Sequence, residues 1–281
     1  MRKLVRRVLR AVGNYDPSFC DMYEDAFTHP EANEDLAYIR RYLQERFGDE
    51  KLAILDAGCQ AGRSLIPLAQ DGHRLIGIDH SEFSLRRARR HVKASNLSVQ
   101  IHRGNISRLR RWIRPSSVDA VVCLGVLLTC QNYRELLGLL ADSVKSGGLL
   151  FVSHRPTLYY LASWLDKGRP ELASALVRQT EGPSPDARYH NWQTQAQLAE
   201  LYRANDVDVL GCHPLRNCPT PLDLSAVTDP VVRQLLEPAH QFDSTYMIPT
   251  HFLVVAHKPQ TNQHIRAGQL TREHEAKSRL S

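Results

Sequence analysis

The chain has 281 residues, 42% of them hydrophobic, with 15 glycines, a composition ordinary for a globular protein; the length has room for one α/β domain with insertions and allows two. The formal net charge of +6 is concentrated, five basic side chains falling in residues 1–10 and ten more, from Arg86 to Arg114, in the acid-free stretch 83–118. No apolar run approaches the ~20 residues of a membrane-spanning helix, the N-terminus lacks the apolar core and cleavage site of a secretory signal, and the six cysteines form no Cys-x-x-Cys pair, as expected of reduced thiols in a cytoplasmic protein.

Residues 2–12 set Leu4, Val5, Val8 and Leu9 against Arg2, Arg6, Arg7 and Arg10 at helical spacing. This short amphipathic helix is expected to pack on the protein or fray, with weak contact to an anionic membrane surface as the alternative. Residues 13–30 read as irregular, and a helix is expected over 31–47 with Leu36, Ile39, Tyr42, Leu43 and Phe47 on one face. Short apolar runs then alternate with helices, the rhythm of a parallel sheet. Strands are expected near 52–56, 74–78, 98–102, 118–124 and 148–153, and helices near 62–70, 81–95, 105–112 and 132–144. After 154 the rhythm changes. Residues 157–180 read as helical with an apolar stripe through Leu158, Tyr159, Leu161, Trp164 and Leu165, and the Gly- and Pro-bearing stretch 180–187 reads as a loop. Thr194-Gln-Ala-Gln197 has the form of a capping box opening a helix to about Ala204. Strands near 206–211 and 250–256 close the sheet as an antiparallel pair. The organisation expected is N-terminal helices and a cap over 1–50, one domain over 51–258 with a cap insertion at about 155–193, and a mobile polar tail over 259–281.

The most informative stretch is Leu52-Ala-Ile-Leu-Asp-Ala-Gly-Cys-Gln-Ala-Gly-Arg63, followed by Leu75-Ile-Gly-Ile-Asp79. An apolar strand enters a turn punctuated by Gly58 and Gly62, a helix follows, and a second apolar strand ends on an acid suited to a ribose diol. Pyrophosphate-binding turns want Gly-x-Gly-x-x-Gly. Here Gln60 replaces the middle glycine and Asp56 precedes the turn, which repels phosphate and suits a cationic amino-acid group.

The Asp-x-Gly-Cys-x-x-Gly form resembles the class I S-adenosylmethionine-dependent methyltransferases, specifically over 52–154 and more loosely over 13–258. The resemblance implies a Rossmann-like seven-stranded α/β sheet of order 3-2-1-4-5-7-6, with strand 7 antiparallel, helices on both faces and a helical cap. It implies that Asp56, Gly58 and Gly62 surround the methionine part of S-adenosyl-L-methionine, that Asp79 holds the ribose, and that Asn105 and Ile106 lie beside adenine. By the same resemblance Leu124, at the end of the fourth strand, would lie under the reactive methyl, and Tyr23 would belong to a cap over the cofactor. Leu128-Thr129 stands where many relatives carry a Glu-His pair, which removes a candidate base and weakens a ubiquinone-type assignment.

The sulfonium donor is already electrophilic, so the protein's part is alignment, exclusion of water and, where required, removal of the acceptor's proton. His154 and His190 are the candidates for that last role, with a solvated loop histidine as the plain alternative for His154. No His/Asp/Glu cluster has metal-ligand spacing. The reading is a methyltransferase acting on an oxygen or nitrogen of a small organic acceptor. The alternatives are an RNA methyltransferase using the basic edge at 86–114, or a non-catalytic module that binds the cofactor.

Overall fold

The computed structural model describes residues 34–166, 189–221 and 245–260, together with 168–169, 172, 176, 178–183 and 229–232. The helix expected over 2–12, the segment bearing Tyr15, Phe19 and Tyr23, and the tail from 261 lie outside the described residues. In chain order the first half runs α1 (Glu34–Phe47), β1 (Ala53–Ala57), α2 (Leu65–Gln70), β2 (Arg74–Asp79), α3 (Glu82–Ala94) and β3 (Gln100–Arg103). A 3-10 segment (Ile106–Arg111), β4 (Val118–Cys123), a 3-10 turn (Leu127–Thr129), α4 (Tyr133–Ser143) and β5 (Val144–His154) follow. The second part comprises α5 (Thr157–Asp166), a two-stranded β6 (Glu181–Pro183) and β7 (Tyr189–Asn191), α6 (Gln195–Arg203), β8 (Asp208–Pro221) and β9 (Thr245–His257).

Seven strands form one sheet in the order β3-β2-β1-β4-β5-β9-β8, and β9 runs antiparallel to both of its neighbours. This is the Rossmann-like methyltransferase sheet expected from the sequence. All five residues of β1 are buried, as a central strand covered on both faces requires. One face packs Ile54, Ala120, Val122, Leu149 and Phe151 against α1, α2 and α3 through Ile39, Leu65, Leu68 and Leu85. The other packs Leu55, Val121, Leu150 and Val152 against α4 and α6 through Leu136, Leu140, Leu198 and Tyr202. The capping box forms as read: Thr194 Oγ1 accepts from the Gln197 amide at 3.3 Å, and Gln197 Oε1 from the Thr194 amide at 2.9 Å.

Three features depart from the expectation. The stretch 180–187, read as a loop, contributes β6 to an antiparallel pair in which Gly182 faces His190. The glycine turn at 147–148 lies inside β5, as an irregularity between the Val118–Val144 and Ala120–Leu149 pairs. Most consequential, β8 and β9 continue far beyond the expected 206–211 and 250–256. Residue 154 of β5 pairs with Phe252, so 245–251 of β9 and their partners 215–221 of β8 run on past the carboxyl end of β5 as a ribbon. Pro214, Pro219, Pro221 and Pro249 sit in this pair, where each strand has an open edge that tolerates a missing N–H. The ribbon therefore projects from the edge of the sheet where the strand carboxyl ends lie.

The aromatic stripe of α5 is core, but of its own small cluster: Tyr160, Leu161 and Trp164 are buried with Leu176, Trp192 and Val232. The basic side chains of 86–114 are mostly exposed, and Arg86 and Arg89 pair with Glu82, Arg110 with Asp142. Among the described residues no helix is long and apolar enough to cross a membrane.

Candidate functional site

The tips of β1 and β2 bring Asp56 and Asp79 together. Register pairs Asp56 with Gly77, which puts Asp79 two residues further along the neighbouring strand. Both carboxyls are buried, with 1% and 5% exposure. Burial pushes Asp56 from 3.8 up to about 7, opposed by the Ser64 hydroxyl, which donates to Oδ2 at 2.8 Å, and by the Arg63 charge. Burial also raises Asp79, against the backbone amides of Ser81 and Gln60, which donate to Oδ1 at 2.7 Å and Oδ2 at 3.1 Å. Two buried acids, both pushed upward by burial, make a site that a cation would complete.

The turn between them has the conformation its glycines require. Gly58 (φ +91°), Gln60 (φ +45°) and Gly62 (φ +96°) all have positive φ. Gln60 thus holds the left-handed geometry that glycine favours, at a cost of about 1–2 kcal/mol. A Cβ on Gly58 would collide with Val126 Cγ2, which follows β4. Gly58→Ala is expected to lose about 2–4 kcal/mol of stability, from positive φ and overpacking together, read as a lowered urea midpoint. Arg63, next after the turn, forms a double hydrogen bond to Asp35 of α1, Nη1 to Oδ1 at 2.8 Å and Nη2 to Oδ2 at 2.6 Å.

Beyond β3, Asn105 caps the 3-10 segment, its Oδ1 accepting from the Ser107 amide at 2.9 Å. That oxygen keeps a second lone pair. Ile106 is buried beside it, and the Trp112 ring fills the space a side chain at Gly104 would need. Leu124 is half-buried at the end of β4. The next residue, Gly125, donates its amide to Ser153 Oγ at 2.6 Å, tying the tips of β4 and β5.

His154 is not a solvated loop residue. It is 1% exposed, its Nε2 lies 2.9 Å from the Tyr202 hydroxyl, and burial pushes its pKa down to about 4, with Gln193 beside the ring opposing the shift. His190 is half-buried on β7, with Nδ1 2.9 Å from the Tyr160 hydroxyl. Each histidine is therefore occupied by a different tyrosine. The strand β7 is fastened over the end of β4 by Asn191, whose Nδ2 donates to the Leu127 carbonyl at 2.7 Å. Glu181 of β6 pairs with Arg134 of α4 at 2.8 Å and accepts from the Tyr189 hydroxyl.

Sequence reading did not single out Ser64, Arg63, Asp35, Asn191, Gln193 or Tyr202. Asn191 and Gln193 lie just ahead of the capping box at Thr194, a local signal that marks the helix start but not their contacts. The contacts of Arg63 with Asp35 and of His154 with Tyr202 span 28 and 48 residues and left no local mark.

Residues 54–148 match the family model described as a methyltransferase domain. The chain is similar to the ubiquinone biosynthesis O-methyltransferase of Methylocella silvestris, 31% identical over 157 residues, 55% of this chain and 56% of that protein. It is also similar to the enzyme of the same name from Rickettsia canadensis, 27% identical over 42% of this chain and 49% of that protein. The chain thus spans about half the length of the curated relatives it matches. Among solved structures, an S-adenosylmethionine-dependent methyltransferase from Methanosarcina mazei superposes with TM-score 0.55 at 18% identity, covering 80% of this chain and 98% of that one. The magnesium protoporphyrin IX methyltransferase of Synechocystis with bound S-adenosylhomocysteine gives TM-score 0.51 at 17% identity, over 80% of this chain and 82% of that one. Residues 54–148 thus match a methyltransferase domain, and the sheet has the fold of solved S-adenosylmethionine-dependent methyltransferases.

Proposed function

We propose that this protein transfers the methyl group of S-adenosylmethionine to an oxygen or nitrogen atom of a small organic acceptor by in-line displacement. The observation that carries the reading is the pair of buried acids, Asp56 and Asp79, on a turn held at positive φ through Gly58, Gln60 and Gly62. The residues present fit the donor: a carboxyl raised to about 7 by burial is ready to ionise against an ammonium group. In this reading Asp56, Gly58 and Gly62 hold the amino-acid end, Asp79 the ribose, and Asn105 with Ile106 the base. Leu124 lies at the transfer point. Tyr23 remains a proposed part of the cap.

When bound, the donor supplies an electrophilic methyl on a positively charged sulfur. The chain's own residues supply position and dryness. Asn191 and the Glu181–Arg134 pair pin β6 and β7 beside the β4 tip, which favours exclusion of water from a small enclosed acceptor. His154, buried with one nitrogen on Tyr202 and its basicity lowered to about 4, is proposed to position this wall instead of taking a proton itself. The relatives' named chemistry, O-methylation in ubiquinone biosynthesis, favours an oxygen acceptor. Leu128 is buried and Thr129 turns its hydroxyl to the Val126 carbonyl at 3.2 Å, so neither offers a base.

The test is incubation with radiolabelled methyl donor and cell extract, sorting label among small molecules, RNA and protein. Label in small molecules supports the proposal. Label in RNA would transfer it to the basic edge at 86–114, and tight donor binding with no label anywhere would favour a binding module.

The proposal also sets a pH dependence. Asp56 has a folded pKa raised above its unfolded value, so its stabilising contribution is complete below about 3.8 and is lost as pH rises through about 7. A bound cation favours the ionised form and reverses that preference. Binding of S-adenosylhomocysteine is expected to release a proton near pH 6–7 and to tighten by up to about tenfold between about pH 6 and about pH 8. Calorimetry in buffers of different ionisation enthalpy reads the proton, and Asp56→Asn should flatten the profile.

A further inference from the structure

We propose that the free edge of β3, with the groove between that strand and α3, docks an extended acidic segment of a partner protein, which adds to the sheet as a further strand. The inference does not depend on the methyltransferase reading.

β3 ends the sheet and pairs only with β2. In a parallel ladder alternate residues address the same neighbour. The Gly104 amide donates to the Asp79 carbonyl at 2.9 Å, so Gln100 and His102 also turn their backbone groups to β2. Ile101 and Arg103 turn theirs outward. Among the described residues no strand meets that outer edge, and an open row of donors and acceptors is a template for another chain. The opposite edge strand, β8, carries Pro214, Pro219 and Pro221, which lack a donor, whereas β3 has no proline.

Beside this edge lies a groove of about 470 Å³. Val92 of α3 and Leu97, Val99 and Ile101, all half-buried, give it an apolar lining, and the exposed Arg89 and Lys93 add positive charge. A strand added to β3 would set alternate side chains over those apolar residues. Main-chain bonds then supply affinity and the groove supplies selectivity.

The charge decides what kind of strand fits. Residues 83–118 carry ten basic side chains and no acid. Glu82 engages Arg86 and Arg89, and Asp142 engages Arg110. Arg90, Lys93, Arg103 and Arg108 make no ion pair among the described residues. On the other face of β3, His102 stacks on Trp112 with centroids 6.0 Å apart, and the exposed Arg111 lies 5.8 Å from the Trp112 centroid. Cations therefore flank the edge on both faces. Two copies of this edge would set like charges against each other, which disfavours self-pairing. A nucleic acid would use the charge but leave the outward amides and the apolar lining unmatched. A peptide alternating acidic and apolar residues matches all three.

The experiment titrates the isotope-labelled full chain with a dodecapeptide of alternating Glu and Val, with its Gln–Val counterpart, and with oligouridylate. The Glu–Val peptide is expected to bind about tenfold more tightly than the Gln–Val peptide at low salt, and to lose that advantage as salt rises. At saturation the Ile101 and Arg103 amides should exchange about tenfold more slowly, since they enter a ladder. The double variant Lys93→Gln, Arg111→Gln should weaken binding by about three- to tenfold, the loss of two exposed charge pairs. Its melting temperature and its affinity for S-adenosylhomocysteine should be unchanged. No binding of the Glu–Val peptide, equal affinity for both peptides, or unaltered exchange at Ile101 and Arg103 would each overturn the proposal. So would slow exchange of these amides before any peptide is added, which would show the edge covered by the chain itself or by a second copy. Tighter binding of oligouridylate at the same residues would overturn it in favour of nucleic acid. The peptide comparison and the exchange measurement need no variant.

Discussion

Arg63→Ala is expected to lower stability by about 3–5 kcal/mol, because it leaves the Asp35 carboxylate buried without its partner. The two side chains are only 11% and 9% exposed, and both guanidinium nitrogens are engaged at 2.8 and 2.6 Å. Asp35 also sits in the first turn of α1, where its charge suits the helix N-terminus and it accepts from the Leu36 amide at 2.9 Å. The pair therefore fastens α1 to the residue that follows the glycine turn. A loss of this size is a large part of the ~5–15 kcal/mol by which domains are usually stable. Urea unfolding reads it directly. The double variant Arg63→Met, Asp35→Leu should recover most of the loss, since removing both charges removes the uncompensated one. A single variant within about 0.5 kcal/mol of wild type would show that the pair does not hold the turn.

Asp79→Ala is expected to weaken binding of S-adenosylhomocysteine by about 10- to 150-fold, the equivalent of about 1.5–3 kcal/mol for hydrogen bonds to a charged acceptor. Two routes lead to that loss. The ribose acceptor disappears, and so does the carboxylate that gathers the backbone amides of Gln60 and Ser81 at the tip of β2. Asp79→Asn separates them, because an amide oxygen still takes one backbone donor but offers no charge. It should fall between wild type and Asp79→Ala in calorimetry. Unchanged affinity in the alanine variant would remove Asp79 from the site.

The amino-acid order alone made the sheet legible, and the reason is local. A strand such as β1, buried over its whole length, is written as an unbroken apolar run. The capping box at Thr194 and Gln197 is a contact across three residues, and the Asp56–Gly58–Gly62 turn is a matter of backbone conformation within seven. Even the departure at Gln60 is intelligible this way, since it keeps the positive φ of the glycine it replaces.

What only the tertiary structure decided depends on burial and on distant partners. Nothing near position 154 in the chain announces that the histidine there lies against Tyr202, or that burial takes its basicity down to about 4. The raised pKa of Asp56 comes from being enclosed by neighbouring strands and helices, a property of packing that no spacing encodes. The ribbon of β8 and β9 was hidden by its prolines, which forbid central strands but are permitted where an edge stays open. Arg155 likewise reads in the sequence as one more basic residue. Its stacking on Tyr159 exists only once the end of β5 has met α5. Short-range chemistry wrote the scaffold into the chain, and long-range desolvation decided which charges on it were left unsatisfied.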